Sequence, residues 1–110
     1  MSRIQKGKFE KADVKLARYA KALAHPARIA IMRHLSGIDA CCFAEISKAI
    51  PLADSTVSQH LAELKSAGLI QDSPDPPRIK YCISTDELRT VRKLVKEITK
   101  IRSIRKEKQI

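Results

Sequence analysis

The chain has 110 residues, with 22 Lys and Arg against 12 Asp and Glu, a formal net charge of +10. That length fits one domain and is too short for a doubly wound sheet with a substrate domain or for a barrel enzyme. At 44% hydrophobic and 31% charged the chain can bury a core, so wholesale disorder is not expected. No apolar run approaches the roughly 18 residues a membrane span needs, and the start, MSRIQKGKFEKADVK, lacks a signal-like apolar segment. The expectation is a soluble cytoplasmic protein with no membrane partner.

The positive charge is concentrated at the ends. Residues 1–21 net +5, residues 22–88 net −2 and residues 89–110 net +7. A basic balance of this size points to a polyanion, with nucleic acid the leading candidate. The near-neutral middle means that any DNA reading there must be done by a few residues.

A first helix is expected over 10–24, with Val14, Ala17, Ala20, Leu23 and Ala24 at helical spacing. His25-Pro26 interrupts it, and Pro26 at a first helical position starts a second helix over 26–36, closed near Gly37. Phe43, Ile46, Ala49 and Ile50 mark a third helix over 42–50, ended by Pro51. The stretch ADSTVSQHLAELKSAG gives a fourth helix over 54–67, with Asp54 or Ser55 as N-cap and Val57, Leu61 and Leu64 on one face. Two short helices joined by a tight link form a helix-turn-helix candidate.

After Gly68 the period changes to two. Leu69-Ile70-Gln71, the stiff turn DSPDPP and RIKYCIS make a β-hairpin over 69–84. Ser84-Thr85-Asp86-Glu87 matches a capping box and starts a last helix over 85–104. There Val91, Leu94, Ile98 and Ile101 are spaced 3-4-3, a coiled-coil-like seam. The fold expected for residues 1–110 is a single mainly α domain with a small β-hairpin wing. It is a winged helix-turn-helix that dimerises through its first and last helices.

This layout assigns roles. The fourth helix enters the major groove, with Ser55, Thr56, Ser58, Gln59 and His60 at base edges. The wing sets Arg78 and Lys80 beside the flanking backbone, where they neutralise phosphates. Val14 and Ala17 on the first helix, with Val91, Leu94, Ile98 and Ile101 on the last, offer a face for a second copy. A two-fold dimer then reads a near-palindromic operator in half-sites about 34 Å apart.

Three cysteines, two of them adjacent, do not make a disulfide scaffold. Pairing of the segment before the third helix with the second hairpin strand would bring Cys41 and Cys42 near Cys82, where three thiolates would suit a soft, three-coordinate ion. The alternatives are buried apolar filler, or a redox sensor in which Cys82 bonds to Cys41 or Cys42. His25 and His34 read as structural or surface residues. There is no glycine-rich phosphate loop and no nucleophile–base spacing, so an enzyme is not expected, and no cofactor is required.

Three stretches, KALAHPARIAIMRHL (21–35), DSTVSQHLAELKSAGLI (54–70) and IKYCIS (79–84), resemble the ArsR/SmtB family of winged-helix repressors. The resemblance covers nearly the whole chain in order and spacing. It implies a homodimer that represses by occupying a double-stranded DNA operator and leaves it on binding a ligand. Many members bind metal through Cys-x-Cys at the start of the third helix. Here Cys42 fits the first position but Ala44 stands at the second, with Cys41 in its place. No His lies between Thr85 and Ile110, which disfavours a zinc site on the last helix. For three thiols, the resemblance makes arsenite or antimonite the natural inducer. A thiol redox repressor without metal, switched by a disulfide or persulfide, and a basic nucleic-acid or protein interaction module without a specific operator, are the competing readings.

Overall fold

The computed structural model describes residues 8–75 and 78–101. Helix α1 (Lys11–Ala22) turns Tyr19 and Ala22 into the core, with Leu16 and Leu23 half-buried beside them. The stripe anticipated through Val14, Ala17, Ala20 and Ala24 faces outward instead. The large ring of Tyr19 decides the rotation, because it buries more apolar surface than the alanines can. Its hydroxyl donates to Glu87, and burial, with Glu87 adding to it, pushes that phenol up to about 12.

Pro26 occupies the first turn of α2 (Pro26–Ser36), where its missing N–H costs nothing. His25 caps that helix, its Nδ1 accepting from the Ala27 N–H at 3.0 Å. Ala27, Ile31 and Leu35 fall on one buried stripe. A two-residue strand, β1 (Cys41–Cys42), leads into α3 (Phe43–Ala49), and a short link then leads to α4 (Asp54–Ser66). The hairpin follows as β2 (Ile70–Asp75) and β3 (Arg78–Ile83), and α5 (Thr85–Ile98) closes the described chain. The sheet is antiparallel in the order β1-β3-β2.

Val57, Leu61 and Leu64 of α4 are buried against α2 and the sheet. The end of α4 forms a Schellman motif: Gly68 N–H donates to Lys65 O at 2.9 Å and Leu69 N–H to Leu64 O at 3.0 Å. Gly68 takes φ +84, and an added Cβ would stand 3.1 Å from Glu87 Cγ. Gly68→Ala is therefore expected to cost about 1–2 kcal/mol from the backbone alone, read as a lower urea midpoint. Arg18 of α1 donates to the Ser66 carbonyl and hydroxyl, binding a cation to the carbonyl end of α4.

Two anticipated caps are not formed. The N-cap of α4 is Ala53, and Asp54 instead accepts from the Ser47 hydroxyl of α3. Ser84 precedes α5 without a side-chain cap bond; its N–H donates to Leu69 O, and Glu87 is turned to Tyr19. In both places a contact to a distant element outcompetes the local one. α5 ends at Ile98, with the Thr99 hydroxyl donating to Val95 O at 2.7 Å. Residues 102–104 of the anticipated longer helix lie outside the described residues.

Candidate nucleic-acid interface

The buried stripe of α4 fixes which residues it presents. With Val57, Leu61 and Leu64 inside, Ser55, Ser58 and Gln59 are exposed and Thr56 is half-buried. Thirteen residues make a rod about 20 Å long, which a major groove about 12 Å wide admits. Arg78 and Lys80 are exposed on β3, so the outer side of the wing is basic. Ser58 and Arg78 line one shared concavity with Cys42, Phe43 and Tyr81, which puts the exposed face of α4 next to the wing.

His60, expected at a base edge, is a correction. It is only 7% exposed, and its Nδ1 accepts from Arg28 Nε at 3.0 Å. Its ring lies against that of His25, with centroids 4.3 Å apart. The spacing carried the signal: His60 is three residues after Val57 and four before Leu64, inside the apolar stripe. Arg28, which the sequence reading passed over, is the partner that satisfies this buried imidazole.

The thiols are not gathered as anticipated. Cys41 is 2% exposed, and its sulfur lies 3.4 Å from Glu45 Oε1 and 3.7 Å from His34 Nε2. Burial, with the Glu45 hydrogen bond and charge adding to it, pushes this thiol up to about 11, so it is protonated at neutral pH. Cys41 stands opposite Tyr81 and Cys42 opposite Lys80, so neither is paired with Cys82. Neighbours along a strand point to opposite faces, so Cys82 lies on the other side of the sheet from Cys41, opposite Gln71 of β2. Among the described residues no group of three or more His, Cys, Asp or Glu side chains is arranged to hold a metal ion. A three-thiolate site does not fit this arrangement.

Of the residues expected at a dimer face, Leu94 is buried in the protomer's own core at 8% exposure, and Val91 packs half-buried against the same core. Val14, Ala17, Ile98 and Ile101 remain exposed, joined by Phe9 and Val95. The 3-4-3 seam thus splits between two duties. No helix among the described residues is long and apolar enough to cross a membrane.

The sequence profile of the bacterial regulatory protein arsR family matches residues 25–72. The chain is 33% identical to the HTH-type transcriptional regulator YgaV of Escherichia coli, over 71% of this chain and 79% of that protein. Among solved structures, HlyU from Vibrio cholerae is 27% identical with a TM-score of 0.68, covering 83% of this chain and 98% of that one. The winged helix-turn-helix DNA-binding domain from Mycobacterium bovis solved by NMR, described as homodimeric, is 28% identical with a TM-score of 0.65, covering 86% and 89%. A helix-turn-helix followed by a hairpin wing in a three-stranded sheet, carried on a sequence with these relatives, has one assignment: the chain is a transcriptional regulator, not an enzyme, and belongs to the arsR family of bacterial regulatory proteins.

Proposed function

We propose that the chain is a cytoplasmic homodimeric repressor that reads an operator with α4 and grips the flanking phosphates with its wing. The observation that carries this is the exposure of Ser55, Ser58 and Gln59 on the side of α4 away from its buried stripe, with Ser58 and the wing's Arg78 lining one concavity and Lys80 exposed further along β3. Gln59 can accept and donate to adenine with two hydrogen bonds, and the serines are short enough to reach base edges. The homodimeric relative supports pairing through the exposed apolar residues of α1 and α5. Occupied half-sites about one turn apart would then block transcription.

Gel shifts against a duplex recovered from a randomised pool test the reading. Gln59→Ala is expected to weaken that duplex by about 1–3 kcal/mol while leaving scrambled duplexes nearly unchanged. Lys80→Ala should weaken every duplex alike and lower the salt dependence by about one unit. Equal loss on all sequences for Gln59→Ala would instead assign a basic interaction module without an operator.

Release by a thiophilic metalloid, arsenite or antimonite by resemblance, is the second reading. It is favoured by the pairing of β1, which carries Cys41 and Cys42, with β3, which carries Cys82. Because Cys41 and Cys82 lie on opposite faces, the ion would have to select a rearranged wing. Antimonite that leaves operator affinity unchanged removes this reading. A disulfide from Cys82 to Cys41 or Cys42 after mild oxidation, with parallel loss of binding, assigns the metal-free redox alternative.

A further inference from the structure

The cluster of Arg28, His25 and His60 serves neither the proposed base contacts nor the thiols. Arg28 has only donors, so the 3.0 Å contact from its Nε requires an unprotonated Nδ1 on His60. The His60 ring is therefore neutral, with its proton on Nε2. His25 likewise uses its Nδ1 as an acceptor, from the Ala27 N–H. The Nη1 of Arg28 also donates to the carbonyls of Lys21 and Ala22, at 3.4 and 3.3 Å. One guanidinium thus joins the end of α1, the first turn of α2 and the middle of α4. The α4 end of that joint sits one residue after Gln59.

We propose that Arg28 and His60 are positioning residues for DNA reading: their hydrogen bond fixes the pose of α4 against α2, and proton uptake by His60 breaks it and loosens the operator complex. The inference rests on the reading that α4 lies in the groove. A protonated His60 would present N–H to N–H toward Arg28 and set a second positive charge in a nearly closed site. The charges acting on it come from His25 at the N-cap of α2 and Arg28 within α2, and both oppose protonation. On α4 itself the neighbours a turn away are Thr56, Val57, Glu63 and Leu64, of which Glu63 is an exposed carboxylate. From α1, Arg28 meets only backbone carbonyls.

Burial, followed by His25 and Arg28, holds the His60 imidazole below its usual 6.5. The joint is therefore fully made above about 6.5 and is lost as pH falls through the lower folded value. That sign opposes bulk electrostatics, because acidification raises the net positive charge and by itself strengthens attraction to phosphates.

The test is operator affinity from about pH 7.5 to about pH 5, with folding followed by circular dichroism at each point. The probe is a duplex recovered from a randomised pool at the higher pH. Affinity of the unaltered protein is expected to fall, approaching tenfold per pH unit for each bound protomer below the His60 midpoint, while the fold persists. His60→Gln keeps an acceptor for Arg28 and does not titrate, so it should bind within a few-fold at neutral pH and show a flat profile. His25→Asn keeps a capping acceptor and should retain the fall. Parallel profiles for the unaltered protein and His60→Gln would overturn the proposal. If His60→Gln does not fold, NMR of the unaltered chain decides. The His60 ring and the Ser58 and Gln59 amides are expected to share one titration midpoint, and amides that stay fixed while the ring titrates would overturn the positioning role. A protein that prefers no sequence at any pH defeats the α4 reading instead, and the shared midpoint still judges the joint.

Discussion

A chain carrying Val14→Glu and Ile98→Glu is expected to sediment as a monomer and to lose operator affinity by about 10²–10⁴-fold, the factor that joining two half-site readers supplies. Val14 is 55% exposed and Ile98 70% exposed, on two helices that pack on each other. With Phe9, Val95 and Ile101 they are apolar surface that one protomer leaves in water. Burying it against a second copy removes that exposure, and four carboxylates across a two-fold interface would lose their hydration without partners. The fold of each protomer should survive, because neither side chain contributes to the core. Sedimentation equilibrium paired with gel shift reads both effects; a dimer that persists with full affinity would move the interface elsewhere.

Leu64→Ala is expected to act through the opposite route. Leu64 is wholly buried in the same core cluster as Leu69, and its carbonyl accepts the Leu69 N–H in the Schellman motif. Removing its side chain leaves a cavity and costs about 2–5 kcal/mol, against a total of about 5–15 kcal/mol for a domain of this kind. The melting temperature should drop by at least about 8 °C, at roughly 4–8 °C per kcal/mol. Gln59→Ala, five residues earlier on the exposed face, should leave the melt within about 0.5 kcal/mol while removing sequence preference. The two substitutions on one helix thus separate packing from reading, measured by calorimetry and gel shift side by side.

Much of this architecture is legible locally. Pro26 and Gly37 bracket α2, the 4-3 spacing of Val57, Leu61 and Leu64 orients α4, and the alternation of Ile79, Tyr81 and Ile83 marks the wing. What local pattern cannot carry is competition with distant partners. Ser84 and Glu87 spell a capping box, yet Leu69 O and the Tyr19 hydroxyl claim them. Leu94 belongs to a seam by spacing and to the protomer's core by packing, because α5 buries one side of the stripe and exposes the other. His60 reads as a polar groove residue until Arg28, 32 positions away, is seen to satisfy it. The thiols turn on strand alternation: Cys41 and Cys42 are neighbours in β1 and face opposite ways, so no register sets both beside Cys82.

The α4 reading is tested most directly by amide chemical-shift mapping of the labelled protein with its selected duplex. The largest shifts are expected at Ser55, Thr56, Ser58 and Gln59, with a second group at Arg78 and Lys80 on the wing. Unmoved α4 amides, with shifts gathered instead on the basic stretch that begins at Arg89, would contradict it.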